Sequence, residues 1–267
     1  MMKITRKIID LDAAAGPDNP SSIHRGGVEA ARRLDAARLT VAKILNAHPD
    51  EIIFTSGGTE GNNLAILGLA KAQVSRGTAG HFIVSAIEHA SILEPCRQLM
   101  REGWTVTVLS VDHEGFINLE ELTKALRPDT LLVSVGYANN EIGTIQPLRE
   151  VAKIIRHFRQ HLGQPFPFFH SDACQTPRFL ELDTSRLGVD LLTLNSAKIY
   201  GPRGVGGLYV RRGVDLASLV YGGGQERGYR SGTENVEAIV GFARTLELAA
   251  KSRSREAARF TRLRDYF

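Results

Sequence analysis

Short apolar segments alternate with helical patterns along most of the chain, and this alternation constrains the fold more than any other feature. Strands are predicted near residues 52–55, 81–85, 105–109, 131–135, 168–171, 191–194 and 206–210. Helices are predicted near residues 24–45, 61–74, 91–102, 119–126, 149–161 and 235–267. This pattern predicts an α/β fold with a mainly parallel sheet that helices cover on both faces. With 267 residues, 43% hydrophobic and 23% charged, the chain can bury one large core.

Lys198 follows the apolar segment 189–194 and precedes the glycine-rich segment 201–207. An amine at the end of a buried strand is expected to be partly desolvated and therefore nucleophilic toward a carbonyl carbon. Lysines with this reactivity form Schiff bases. Because a single lysine in a loop is more often simply solvated, the hypothesis needs partners from elsewhere in the chain.

Asp172 stands where the aromatic strand 168–171 ends. A carboxylate buried there without a partner would be costly. Pyridoxal phosphate offers a partner, because its ring nitrogen is an effective electron sink only when it is protonated and a carboxylate holds that proton in place. Gln175 would then bond to the phenolic oxygen of the ring. Taken alone, Asp172 is better explained as a helix cap.

Two more strand ends carry residues that suit a phosphorylated cofactor. Residues 55–60 place Gly57 and Gly58 between a strand and a helix, where backbone amides and the helix dipole favour a phosphate. His89 follows strand 81–85 and is expected to stack on a ring and relay protons. Each feature alone more often has a structural role, as a turn or a satisfied histidine. Together they lie at the strand ends where open α/β sheets bind ligands.

Several long segments carry a family resemblance: residues 54–60 (FTSGGTE), 88–89 (EH), 138–143 (ANNEIG), 172–175 (DACQ), 198–202 (KIYGP) and 222–233 (GGGQERGYRSGT). On these segments the chain resembles the cysteine desulfurases, which are pyridoxal-phosphate enzymes of the class V aminotransferase family. The resemblance extends over nearly the whole chain. It implies the three-layer large domain of the transferases known as fold type I.

The resemblance also implies roles for individual residues. Lys198 would form the Schiff base and shuttle a proton, and His89 would stack on the ring, so these two are the catalytic candidates. Asp172 would pair with the ring nitrogen and Gln175 with the phenolic oxygen. The remaining cofactor contacts implied are Gly58, Thr59, Asn140 and, from the neighbouring subunit of a homodimer, Thr233. No metal site is predicted.

The implied reaction converts L-cysteine to L-alanine and transfers the sulfur for iron-sulfur cluster or thio-cofactor biosynthesis. The sulfur acceptor or scaffold protein is not indicated by the sequence, and selenocysteine is an alternative substrate. The chain departs from the family at the phosphate site, where Asn195 and Ala197 stand in place of the usual Ser and His. Asn195 can still donate a hydrogen bond and Ser196 is a candidate substitute, but Ala197 offers no side-chain donor. We therefore expect reduced cofactor affinity.

We divide the chain into a cofactor-binding large domain, residues 1–250, and a shortened helix, residues 251–267, that in the family leads to a small domain. The family's persulfide-forming cysteine loop and its substrate-binding arginine belong to that domain. Residues 11–17 pass almost directly into 19–24, so the N-terminal segment is also shorter than in the family. We expect this chain alone to perform only the early steps. A non-catalytic cofactor-binding fragment, half of a split enzyme and an incomplete gene model stay open as alternatives.

The end of the last helix is expected to expose an apolar stripe of Phe260, Leu263, Tyr266 and Phe267. The two cysteines, Cys96 and Cys174, are interpreted as structural rather than reactive. Two cysteines without a secretion signal predict a cytoplasmic location.

The formal net charge of +4 and the pI of about 9.2 come from scattered basic residues. A nucleic-acid role is the weaker of two explanations for this charge. The other is a basic site entrance that attracts anionic ligands. Without a run of about 18 apolar residues, no membrane span is predicted.

Overall fold

A computed structural model describes residues 19–74 and 80–267. The expectation for the shortened segment 11–17 lies outside these residues.

In the described part of the chain, seven strands form one sheet, in the order β1-β7-β6-β5-β4-β2-β3. They are β1 (Ile52–Thr55), β2 (His81–Ser85), β3 (Thr105–Leu109), β4 (Thr130–Ser134), β5 (Phe168–Asp172), β6 (Leu191–Asn195) and β7 (Gly206–Val210). Strand β7 runs antiparallel to its neighbours β1 and β6, and the other pairs are parallel. The predicted mainly parallel sheet is therefore confirmed.

Helices flank this sheet as the periodicity predicts. They are α1 (Arg25–Leu45), α2 (Gly58–Asn63), α3 (Leu69–Val74), α4 (Ala90–Arg101), α5 (Leu119–Ala125), α6 (Leu148–Leu162), α7 (Thr184–Leu187) and α8 (Val236–Tyr266). The single helix expected at 61–74 is instead α2 and α3 joined by a π-helical turn, Leu64–Gly68. The short helix α7 was not predicted, because four residues are too few to show a helical period.

Adjacent strand residues enter different apolar clusters, which shows that both faces of the sheet are covered. Phe82 belongs to one cluster and its neighbour Ile83 to the other, and Leu191 and Leu192 divide in the same way. Since successive side chains of a strand point to opposite faces, the two clusters lie on the two sides of the sheet. The result is a three-layer arrangement of helices, sheet and helices.

The outer edge of β1 is covered by side chains from distant parts of the chain. Arg38 of α1 makes a bidentate pair with Glu226 at 2.7 and 2.8 Å, and it also donates to the Ile52 carbonyl at 2.7 Å. Glu226 in turn accepts a hydrogen bond from the Phe54 amide at 2.9 Å. Arg227 donates to the Ile52 carbonyl at 2.6 Å. These bonds seat the glycine-rich segment 222–233 against β1.

Helix α8 is continuous, so no break marks the predicted domain boundary after residue 250, and that division stays a prediction. The predicted apolar stripe is exposed, with Leu263 at 42%, Tyr266 at 83% and Phe267 at 99%. Phe260 is less open, at 37%, because its ring packs edge-on against Phe179 with centroids 5.3 Å apart. Across the described residues, none of the helices has the length and apolar character that crossing a membrane requires.

The buried pair of Arg38 and Glu226 makes a testable prediction. The Glu226 side chain is 1% exposed, so Glu226→Ala leaves a buried, unpaired guanidinium and a β1 amide without its acceptor. We expect the free energy of unfolding, measured by urea denaturation, to fall by about 3 to 5 kcal/mol. The control is Asp50→Ala, which removes the partner of Arg212 in a pair exposed on both sides and should have a much smaller effect. Equal losses in the two variants would contradict this account.

Candidate active site

The carboxyl ends of the parallel strands open on a cavity of about 320 Å³. Its lining contains eight of the ten residues that sequence analysis selected: Gly58, Thr59, His89, Asn140, Asp172, Gln175, Asn195 and Lys198. The other two, Ser196 and Thr233, lie elsewhere. The cavity is close to the lower limit of about 300 Å³ for small-molecule sites.

The glycines after β1 allow close packing at one wall of the cavity. A Cβ atom on Gly58 would lie 2.6 Å from the Cys174 sulfur, so a side chain there would displace it. A Cβ atom on Gly206 would lie 2.8 Å from the Gly57 backbone, which brings β7 close to this turn. Helix α2 starts at Gly58, and its N-cap Gly57 gives no side-chain hydrogen bond to the first amides. A helix start without a side-chain cap therefore borders the cavity.

Asp172 is half-buried at the end of β5, and its two carboxylate oxygens have different partners. Oδ1 accepts from the Cys174 amide at 2.9 Å, and Oδ2 accepts from Asn62 Nδ2 at 2.7 Å. The Cys174 bond closes a local turn, and no helix begins there for Asp172 to cap, unlike the alternative interpretation. The Asn62 bond comes from a distant helix and fixes the carboxylate at the cavity wall.

His170 lies two residues before Asp172 and is fully buried. Its Nδ1 lies 2.9 Å from Ser134 Oγ and its Nε2 lies 3.0 Å from Thr193 Oγ1. Burial lowers the pKa of His170 to about 4, although the charge of Asp172 acts in the opposite direction. His170 is therefore neutral at ordinary pH, and its hydrogen bonds support the strands beneath the site.

Lys198 lies on a 3₁₀ turn, Ser196–Ile199, that follows β6. The turn carries its side chain past the strand end to the cavity, where Lys198 is exposed. Lys198 is thus exposed while lining the cavity, and the partial desolvation expected of its amine stays a prediction. The amine and the Asp172 carboxylate nevertheless line the same cavity.

His89 is the N-cap of α4, and its side chain lies at the cavity. The Ser91 amide donates to His89 Nδ1 at 3.1 Å, and Ser91 Oγ lies 2.8 Å from the same nitrogen. The ring is exposed, but these bonds set its orientation.

The residues around the lysine fall on different sides of the turn. Asn195 lines the cavity, and its Oδ1 accepts from the Ala197 amide at 3.1 Å, which leaves its NH₂ group as a donor. The Ser196 side chain is instead buried, and a Cβ atom on Gly201 would lie 2.2 Å from its hydroxyl and 3.2 Å from Thr245 of α8. Ser196 therefore faces away from the cavity and does not replace the missing phosphate ligand.

Thr233 is exposed in the segment 222–233 and does not line the cavity of its own chain. Its proposed contact with a neighbouring subunit stays a prediction.

Both cysteines are buried and free. Cys96 packs in the same apolar cluster as Ile92 and Leu99, and burial raises its pKa to about 12. Cys174 lines the cavity, but burial, followed by the negative charge of Asp172, raises its pKa well above the ordinary value. Because the thiolate is the reactive form, neither cysteine is poised to act as a nucleophile.

Asn62, Ser91 and Glu88 are among the polar lining residues that were not selected from the sequence. Asn62 lies one helical turn after Gly58, and Ser91 lies two residues after His89. These spacings were the available signal. Glu88 was noted only as part of a shared dipeptide.

Glu88 is half-buried and accepts a hydrogen bond from the Gly136 amide at 2.7 Å. Burial raises the pKa of Glu88 to about 8, and the nearby charge of Asp172 adds to this, although the Gly136 amide and Ser85 oppose it. The cavity therefore contains a carboxyl group that is mostly neutral at pH 7 beside Asp172.

Comparison with known proteins agrees with this geometry. Residues 13–266 match the sequence model of the family described as Aminotransferase class-V. Cysteine desulfurase IscS of Dictyoglomus turgidum is 47% identical over 249 residues, which are 93% of this chain and 61% of that protein. Cysteine desulfurase IscS 1 of Archaeoglobus fulgidus is 45% identical over 247 residues, which are 92% of this chain and 62% of that protein. The chain thus spans about three fifths of the length of these curated relatives.

Solved structures share the fold. A NifS-like protein superposes with a TM-score of 0.91 at 38% identity, over 99% of this chain and 70% of that one. A structure described as SspA in complex with cysteine superposes with a TM-score of 0.83 at 36% identity, over 92% of this chain and 69% of that one.

The raised pKa of Glu88 predicts how stability depends on pH. Between its ordinary value of 4.5 and about 8, the folded protein holds a proton that the unfolded chain releases. The contribution of Glu88 to stability is therefore fully present below about pH 4.5 and is lost as the pH rises through about 8. Glu88→Gln should remove this loss, seen as a flatter pH profile of the urea midpoint. Glu94→Gln, at an exposed position on α4, is the control, and a profile for Glu88→Gln that parallels the wild type would contradict the assignment.

Proposed function

The chain belongs to the aminotransferase class-V family, and on that premise we propose that it binds pyridoxal phosphate as the large domain of a cysteine desulfurase. The proposed reaction converts L-cysteine to L-alanine and transfers the sulfur for iron-sulfur cluster or thio-cofactor biosynthesis. One observation carries the proposal: Lys198 and Asp172, which are 26 positions apart in the sequence, line one cavity with an imidazole and a glycine-lined helix start.

The chemistry of the cavity fits the cofactor. An aldehyde needs a primary amine, and Lys198 supplies one. A protonated ring nitrogen needs a carboxylate, and Asp172 is held by two donors, Cys174 N and Asn62 Nδ2. A phosphate needs amide donors without competing caps, and the start of α2 at Gly58 meets this requirement.

We assign the remaining cavity residues to parts of the cofactor. Gly58, Thr59 and Asn195 would hold the phosphate, and Gln175 would hold the phenolic oxygen. His89 would lie against the ring, and Asn140 would lie near the ring and the substrate. The NH₂ group of Asn195 is left as a donor by the bond that its oxygen accepts, which supports its place at the phosphate.

Pyridoxal phosphate, when bound, supplies an aldehyde that joins to amines and a ring that absorbs negative charge. The protein residues supply binding and proton transfer. Asp172 keeps a fixed negative charge at the ring nitrogen. Lys198 Nζ would provide the covalent attachment and, when free, would carry the substrate proton. Its exposure leaves it accessible to an entering amino acid.

The choice of L-cysteine as substrate rests on the relatives, two of which are cysteine desulfurases of 45 and 47% identity. A sulfur atom that leaves the substrate also needs an acceptor thiol. Cys96 and Cys174 do not suit this role, because both are buried and their pKa values are raised. We therefore expect the sulfur acceptor to lie outside residues 1–267. The cytoplasmic location stays part of the proposal.

We also propose a homodimer in which Thr233 reaches the neighbouring site. Segment 222–233 is seated on β1 through the buried Arg38–Glu226 pair, which presents Thr233 at the surface. An anchored segment with an exposed hydroxyl is suited to contact a second copy.

The central test is a visible absorption band. Purified protein mixed with pyridoxal phosphate should show a Schiff-base band that borohydride fixes to residue 198, as a mass increase on the peptide that contains it. Lys198→Ala should lose both signals, whereas Lys153→Ala, at an exposed lysine on α6, should keep them. A wild-type protein without the band, or a Lys198→Ala variant that keeps it, would overturn the assignment.

Substrate choice is tested by adding amino acids to the loaded protein. L-cysteine should change the band, because its amine displaces Lys198, and sulfide release should stay at the cofactor-only background because neither cysteine is poised to take the sulfur. L-serine, the oxygen analogue, is the control and should change the band less. No response to L-cysteine would favour the second candidate, a protein that only binds the cofactor. Rapid sulfide release would contradict our interpretation of Cys96 and Cys174.

A further inference from the structure

Hydrogen bonds join Asp172 to His89 through Asn62 and Ser91, neither of which is among the residues proposed to contact the cofactor. Asn62 Nδ2 donates to Asp172 Oδ2 at 2.7 Å and to Ser91 Oγ at 2.8 Å. Ser91 Oγ lies 2.8 Å from His89 Nδ1, and the Ser91 amide donates to the same nitrogen at 3.1 Å. We propose that Asn62 is a positioning residue that holds Asp172 and His89 in one arrangement and, with Ser91, sets the tautomer of His89.

The direction of each bond follows from what each group can donate. An ionised carboxylate only accepts, so Asn62 must turn its NH₂ group toward Asp172. The other N–H of that group points to Ser91 Oγ, whose single proton is then available to His89 Nδ1. Asn62 Oδ1 has no hydrogen-bond partner in the described part of the chain, so no bond favours the opposite orientation.

The same reasoning places the proton of His89. Two donors from Ser91, its backbone amide and its hydroxyl, meet at Nδ1. That nitrogen must therefore be an acceptor, and neutral His89 has its proton on Nε2. Because Nδ1 also caps α4, a proton placed there would break the helix cap.

We call the hydrogen-bonded pair Asn62 and Ser91 the bridge. The bridge holds Asp172 and His89 together but does not conduct protons between them. A side-chain amide neither gains nor loses a proton at ordinary pH, so Asn62 cannot relay one from His89 to Asp172. Asn62 is 1% exposed and Ser91 is 7% exposed, so water does not readily replace these bonds.

This inference rests on the proposed function in one respect: its effect is read on the bound cofactor. Asn62→Ala removes one of the two hydrogen bonds to the Asp172 carboxylate. We expect a loss of about tenfold in pyridoxal phosphate affinity and a displacement of about one pH unit in the titration of the absorption band. Asn63→Ala is the matched control, because Asn63 Nδ2 bonds to the Thr59 carbonyl at 2.9 Å and not to the bridge.

A second variant separates positioning from general damage. Ser91→Ala keeps the backbone donor to His89 and loses the hydroxyl. The titration of the absorption band should therefore be displaced in the same direction as in Asn62→Ala, but by less. The double variant should shift no further than Asn62→Ala, because both changes break one bridge. Identical pH profiles for Asn62→Ala and Asn63→Ala would overturn the proposal. If Asn62→Ala does not fold, the band titrations of Ser91→Ala and Asn63→Ala are compared instead, and identical pH profiles for these two variants would overturn the proposal.

The tautomer is tested without the cofactor, by ¹⁵N NMR of protein labelled at its histidine rings and assigned with His89→Gln. The proton of neutral His89 should lie on Nε2, and a proton on Nδ1 would overturn the bridge. Absence of any cofactor band in the wild type would refute the proposed function instead, while the NMR result would still decide the bridge.

Discussion

The negative charge of Asp172 is the constraint around which the site is organised. Its carboxylate is half-buried at the end of β5, where an unpaired charge is costly, and two donors stabilise it. Two titratable groups near it are mostly neutral at pH 7: burial lowers the pKa of His170 to about 4 and raises that of Glu88 to about 8. The cavity wall therefore has one fixed anion, which suits a ligand that carries a ring cation.

A second constraint comes from the edge of the sheet. Within the described residues, β1 has no strand partner on its outer side, and Glu226 and Arg38 satisfy backbone groups there, which holds segment 222–233 near the cavity. On the other side of β1, the antiparallel strand β7 approaches the Gly57 turn closely enough to exclude a side chain at Gly206. The glycine turn that would meet a phosphate is thus held from both sides, by a buried ion pair and by strand packing.

The strands were predictable because each is a short apolar segment bounded by polar or glycine residues. Their observed limits differ from the predicted ones by at most one residue, as at β4, Thr130–Ser134. The π-helical turn Leu64–Gly68 was not predictable, because one residue inserted into a helical period leaves the apolar pattern almost unchanged. The burial of Ser196, a candidate substitute at the phosphate site, was not predictable, since neighbouring residues on a tight turn point in different directions.

The sequence by itself determined the order of strands and helices and the chemical groups at the strand ends, because local apolar periodicity and residue type are properties of neighbouring residues. Only the tertiary structure decided which groups meet. Asn62 reaches Asp172 across 110 positions, and Arg38 reaches Glu226 across 188. The states of Glu88 and His170 were likewise decided by burial in the assembled cavity, because desolvation depends on surrounding atoms that the linear order does not bring together.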